Sequence, residues 1–222
     1  MNLPAQFFAS DLLWLTNVIF ALLAFRSAWY APWRSLLDNS ARINALVGLL
    51  LGTFVFWQLN AGVRPGFNFH LIGATLFVLM FGWRIALVAL SLVMFTSWIR
   101  SDLSYVALGL NGLLMIAIPV LFSELIMRIT RKYLPKNFFM FVLVNGFVCG
   151  ALAMILVVAA ATFLLTALSP YTWQEVQHNY LVATPIIVFA EAFTTGAFIT
   201  AFTVAQPEAV FNFSEKDYLE GK

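Results

Sequence analysis

Apolar residues fill long runs in this chain, and the polar positions fall between them in short clusters. From Ser10 to Trp29 only Ser10, Asp11, Thr16, Asn17, Arg26 and Ser27 interrupt the apolar sequence. At a rise of about 1.5 Å per residue, roughly twenty such residues cross a hydrocarbon core of about 30 Å, so this run predicts a membrane-spanning helix. Trp29, Tyr30 and Trp33, beside Arg26 and Arg34, form an aromatic and basic belt at its end. Four more long runs extend from about Ile43 to Asn60, Tyr105 to Met127, Phe138 to Leu168 and Leu181 to Ala205.

The stretch between Phe69 and Ile99 is apolar almost throughout, with Gly82-Trp83-Arg84 as the interruption. It reads either as one span or as a hairpin of two short ones, and charge decides between them. With a hairpin the chain has about seven transmembrane helices and its amino terminus outside. Arg26, Arg34, Arg42, Arg84, Arg128, Arg131, Lys132 and Lys136 then fall inside, and only Arg64 and Arg100 fall outside. A single span would move Arg128, Arg131, Lys132 and Lys136 outside, against the basic-residue bias that orients membrane proteins. The hairpin is therefore predicted. Its first arm, Phe69 to Trp83, would cover only about 22 Å of a core of about 30 Å, so its ends must lie within protein or beside a wet cavity.

Other positions shape the expected bundle. Pro119 should kink its helix, because it lacks an amide and its ring clashes with the preceding turn. The run to Leu168 is longer than a bilayer needs and should tilt or extend past it. Gly48 and Gly52, and again Gly146 and Gly150, repeat a spacing that permits close helix contact. The polar stretch from Ser169 to Asn179, with Glu175 and His178, falls outside, and the residues from Gln206 to Lys222 form a short cytoplasmic tail. Residues 1–222 thus read as a single polytopic, all-α membrane domain.

Composition agrees: 62% of the 222 residues are hydrophobic and 10% charged, which a water-facing surface of this size could hardly carry. The formal charge of +2 gives no reason to expect nucleic acid as a partner. Cys149, the one cysteine, cannot form an internal disulfide and reads as packing. The absence of Lys or Arg before Arg26 predicts that the first run is a retained span rather than a cleaved signal.

Within the spans, a few polar side chains stand out. Glu191 lies near the middle of the last run, where a carboxylate costs about 2.5 to 3.5 kcal/mol on insertion scales. It is either a site or pathway residue or a protonated acid bonded to Asn or Thr on a neighbouring helix, with Thr194 and Thr195 on its own face as further partners. Asn17, Asn44, Asn60, Asn111 and Asn145 are expected to bond between helices. Asn111 is flanked by Gly109 and Gly112 in Leu-Gly-Leu-Asn-Gly, where backbone can approach closely, and that suits a pocket wall. His70 opens an apolar segment and is either a helix-capping histidine or a metal ligand through a neutral ring nitrogen. Six methionines beyond Met1 are scattered as packing residues would be, with a soft copper site as the other reading. The chain carries no phosphate-loop, zinc-protease or serine-hydrolase motif, and one intramembrane histidine cannot supply two haem ligands.

Together, His70-Leu71-Ile72-Gly73-Ala74, the Gly82-Trp83 turn, Leu108-Gly109-Leu110-Asn111 and Glu191-Ala192-Phe193-Thr194-Thr195-Gly196 resemble the cobalt and nickel energy-coupling-factor permeases of the CbiM and NikM type. The likeness runs from about Phe69 to Ala205. It implies the substrate-capturing subunit of an ABC importer in a prokaryotic inner membrane. Its partners would be a transmembrane coupling subunit, cytoplasmic ATPases and sometimes a small accessory membrane protein, with no nucleotide on this chain. In that family the free amino terminus, a histidine at position 2 and a histidine matching His70 hold the metal. Met1-Asn2-Leu3-Pro4 differs from the family's Met-His-Ile-Pro start, so Met1, Asn2 and His70 are the expected ligands here with one imidazole missing. Asp11, Asn68 or a water would fill that place, or the metal would differ. Asn111, Glu191 and Thr195 are expected to line or support the pocket. Nickel or cobalt is the implied substrate, with copper left open. The alternative is a non-transporting structural or assembly subunit that keeps the permease fold. An enzyme reading ranks behind both.

Overall fold

The computed structural model describes residues 2–59, 61–62, 65–99, 104–214 and 218, and almost all of its regular structure is helical. The helices are α1 (Ser10–Tyr30), α2 (Trp33–Leu37), α3 (Ser40–Gln58), α4 (Ala74–Phe81), α5 (Trp83–Ile99), α6 (Tyr105–Tyr133), α7 (Met140–Leu168), α8 (Trp173–Asn179) and α9 (Thr184–Ala205). Two short antiparallel strands, β1 (Ala61–Gly62) and β2 (Asn68–Phe69), pair in the connection before α4. Among the described residues, α1, α3, α6, α7 and the run Trp173–Ala205 are long and apolar enough to cross a membrane, and α5 is a shorter apolar helix. Of the expected features, Met1, Asn60, Arg64, Arg100 and the end of the tail lie outside the described residues.

Local chemistry sets the helix ends. Asp11 sits in the first turn of α1, where a negative charge complements the helix dipole. Asn39 caps α3 by accepting from the Arg42 amide at 3.1 Å. Thr172 and Glu175 form a reciprocal capping box on α8. In α6 the residues Leu113–Ala117 form a wider, π-type turn just before Pro119. That turn widens the helix just before a residue with no amide to donate, at the place where the sequence predicts a kink.

α4 sits at the centre. Every residue from Ala74 to Phe81 is buried, and the helix packs against α5, α6, α7 and α9. It is shorter than the fifteen-residue arm expected from the sequence: Phe69 belongs to β2 and residues 70–73 are irregular, so only eight are helical, about 12 Å in length. Glycines bound it at both ends. Gly73 at φ +74° and Gly82 at φ +81° occupy the left-handed region, which costs a side-chain-bearing residue strain. Outside this core, Trp14, Leu22, Phe25 and Trp29 of α1 are exposed, an apolar surface suited to lipid.

The two glycine pairs behave differently. On α7, a side chain at Gly146 would meet Ile199 at 2.8 Å, and one at Gly150 would meet Ala192 and Thr195 at 3.4 Å, so α7 and α9 do pack closely there. Gly48 and Gly52 on α3 have nothing within 4 Å of an added Cβ. No helix seats against them. They line an open apolar groove of about 340 Å3 between α3, the start of α4 and α9.

The tail does more than trail away. After a turn at Pro207–Ala209 it packs onto the end of α4. Phe211 and Asn212 donate their amides to the carbonyls of Met80 (2.9 Å) and Leu79 (3.2 Å), and the Asn212 side chain donates to Val78 (2.7 Å). The bonds to Leu79 and Met80 satisfy carbonyls that a helix end leaves free, and the Asn212 side chain joins the Gly82 amide on the Val78 carbonyl. The segment carrying α9 therefore grips both ends of α4, as the site shows.

Candidate metal centre

His70 stands between β2 and α4 with 4% of its surface exposed. Its ring lies against the indole of Trp57, centroids 4.7 Å apart. Nδ1 is 3.2 Å from the carbonyl of Leu71. With the proton on Nδ1 donated to that carbonyl, Nε2 keeps its lone pair for a ligand, the arrangement that orients metal-binding imidazoles.

The loop after His70 is fixed from across the bundle. The Ile72 and Gly73 amides donate to Oε2 and Oε1 of Glu191, at 2.8 and 2.7 Å. Glu191 is 4% exposed and projects from α9. Its partners are thus neither an asparagine nor a threonine, as one sequence reading had it, but two successive backbone amides of the loop that carries His70. Thr195, expected beside it, is buried against Gly150 of α7, and its hydroxyl has no partner among the described residues.

The start of the chain is docked by two asparagines. The Asn2 amide donates to Oδ1 of Asn68 at 2.8 Å. The Leu3 amide donates to Oδ1 of Asn111 at 2.8 Å, and Nδ2 of Asn111 donates back to the Leu3 carbonyl at 3.0 Å and to the Ala107 carbonyl at 3.0 Å. Asn111 is completely buried. Its flanking glycines allow the approach: Gly109 lies on the backbone of α1 at Thr16 and Asn17, and Gly112 lies under the ring of Phe20. Asn17 accepts from the Gly109 amide and donates to the Val106 carbonyl, which ties α1 to the same turn.

Asn2, Asn68, His70, Asn111 and Glu191 are thereby joined through two connected segments, the chain start and the β2–α4 loop. Asp11 is not among them, being exposed on the first turn of α1. Among the described residues no group of three or more His, Cys, Asp and Glu side chains gathers to hold a metal. Sequence reasoning missed the aromatic cover. Tyr180 is buried and stacks on Phe69 at 4.5 Å, while Phe67 lies 4.4 Å from Tyr171, which in turn meets Phe7 at 5.3 Å. The only sequence signal was the pair Phe67 and Phe69 facing two tyrosines in an otherwise polar stretch.

The family model of CbiM, the cobalt uptake substrate-specific transmembrane region, matches residues 2–209. The chain belongs to the CbiM family. The match covers the docked chain start, the His70 loop and the tail turn alike, so the expected resemblance extends well beyond the motifs that carried it. Two solved structures share the fold at 19% identity. One is titled a truncated transition metal transporter, with 92% of this chain and 98% of that one covered and a TM-score of 0.69. The other is titled a transition metal transporter, with 92% and 93% covered and a TM-score of 0.70. No curated protein matches the chain. As a CbiM-family protein it is a multi-pass membrane subunit of the metal-uptake kind.

Proposed function

We propose that this chain is the substrate-capturing membrane subunit of an energy-coupling-factor ABC importer for a divalent transition metal of the cobalt and nickel class. The observation that carries the proposal is the docking of the chain start by Asn68 and Asn111 at the loop of a buried histidine. A structural asparagine pair of this kind is what a site using terminal donors requires, because a free chain end would otherwise pay its ordering entropy at each binding event.

In this reading His70 ligates the metal through Nε2, and Met1 and Asn2 supply the amino-terminal donors. Asn68 and Asn111 fix the chain start, and Glu191 fixes the loop. Asn2 offers an amide in place of an imidazole, which favours a weaker or differently selective site. Residues 1–222 act as one membrane domain of seven spans. The amino terminus lies outside and the basic ends of α1, α6 and the α4–α5 turn lie inside a prokaryotic inner membrane. ATP is hydrolysed by cytoplasmic partner subunits through a transmembrane coupling subunit, with a small accessory membrane protein as a further partner.

Titration calorimetry with nickel, cobalt, copper and zinc on protein bearing its authentic amino terminus tests this. Micromolar or tighter binding that disappears in His70→Ala supports the proposal. Undiminished binding in His70→Ala rules out the ligand set, and no binding by either protein turns the reading toward a permease fold serving a non-transport role.

A further inference from the structure

A second built site lies at the opposite end of α4 from His70. A cavity of about 260 Å3 opens between the Gly82 turn, the last turns of α6 and the tail. Arg84, Arg128 and Arg131 line it, and Glu124 is its only acid among the described residues. That carboxylate is already engaged, since Nε of Arg128 donates to its Oε1 at 2.7 Å. Arg131 donates through Nη2 to the carbonyl and side-chain oxygen of Asn212, at 3.1 and 2.6 Å, and both of those acceptors are neutral. The guanidinium of half-buried Arg84 lies over the Trp83 ring at 4.7 Å and has no hydrogen-bond or ion-pair partner among the described residues. Among the described residues, therefore, three guanidinium groups share one carboxylate, an excess of two positive charges.

We infer that this cavity holds the phosphate headgroup of an anionic membrane phospholipid. Guanidinium groups match phosphate oxygens as paired donors, and an excess of them in a pocket between helix ends is a chemistry that recognises anionic headgroups. The location argues for a lipid rather than a soluble anion. The cavity sits where apolar helices end, and its wall includes Trp83, a residue type that partitions to the headgroup level of a bilayer. A neighbouring cavity of about 370 Å3 shares Arg131 and Asn212 and adds Ser214, so there is room beyond the phosphate for a polar headgroup substituent. The bound lipid bridges α6, the α4–α5 turn and the tail, three elements that meet at no other charged site among the described residues. The inference does not depend on what His70 binds.

The test uses the purified full-length protein in a neutral detergent. Phosphatidylglycerol, phosphatidylcholine of the same acyl length and inorganic phosphate are titrated separately, with binding read by native mass spectrometry and by thermal shift. Phosphatidylglycerol is expected to bind at least tenfold more tightly than phosphatidylcholine. Arg84→Gln should lose about fivefold of that affinity, the worth of one basic residue near an anionic lipid surface. Arg84→Lys should recover part of it. The Arg84 side chain donates no hydrogen bond among the described residues, so these variants are chosen to leave the helical circular dichroism unchanged. Equal affinity for the two lipids overturns the inference, as does undiminished phosphatidylglycerol binding in Arg84→Gln. Displacement of the lipid by inorganic phosphate at equal concentration also overturns it, by assigning the site to a soluble anion.

Discussion

Asn111 and Leu3 hydrogen-bond in both directions across 108 residues of sequence, amide to side-chain oxygen at 2.8 Å and side-chain nitrogen to carbonyl at 3.0 Å. The side chain imitates a strand partner for a single residue. Both residues are buried, so neither Leu3 backbone group has water as a substitute, and the chain start is pinned to α6 rather than lying on it. This pairing couples the geometry of the amino terminus to a helix in the middle of the bundle.

Asn111→Leu should keep the branched outline of the side chain, at a somewhat larger volume, and remove every one of these bonds. Leaving buried backbone groups unpaired costs about 1–3 kcal/mol each before relaxation. The expected outcome is a lowered melting temperature together with at least a tenfold loss in metal affinity, measured by thermal shift and calorimetry on the same preparation. A stability loss with unchanged affinity would separate Asn111 from the site.

Glu191→Gln tests the clamp on the His70 loop. A glutamine offers one acceptor oxygen where Ile72 and Gly73 present two amide donors, so one amide is left facing a second donor. A cost of about 1–3 kcal/mol follows for the unpaired donor. Hydrogen exchange should show faster exchange at the Ile72 and Gly73 amides than in the wild type, while the amides of α7 stay protected.

Asn2→His restores an imidazole at the position where the resembled permeases have one. The Asn2 backbone amide already bonds to Asn68, so its side chain can change without disturbing that contact. Nickel affinity should rise at least tenfold by calorimetry, and the gain should vanish in the Asn2→His, His70→Ala double variant. No gain would mean that the side chain at position 2 does not reach the ion.

Gly146→Ala and Gly48→Ala make a matched pair. The first puts a methyl group 2.8 Å from the Ile199 side chain, so that side chain or the helices must shift, at about 1–3 kcal/mol for overpacking. The second meets nothing within 4 Å and should change stability by less than about 0.5 kcal/mol, or raise it slightly through helix propensity. Thermal unfolding in detergent distinguishes them directly.

Hydropathy and charge were enough to read the membrane class, the positions of the long helices and the break at Gly82, and they marked His70, Asn111 and Glu191 as polar groups that need partners within the spans. These features are local: an apolar run of a given length has few physical alternatives to a helix, and a charged or amide side chain within one must find a partner. Which partner was decided only by the tertiary structure. Glu191 meets backbone amides, and every residue but proline carries one, so no residue type marked Ile72 and Gly73 in advance. Two glycine pairs with the same spacing diverged because the spacing states how closely a helix can approach, while the neighbour that does so is set by the packing of the whole bundle. The tail that caps α4 and the asparagines that dock the chain start belong to the same class. Their bonds join segments 66 to 134 residues apart, and only the fold brings those groups within 3 Å of each other.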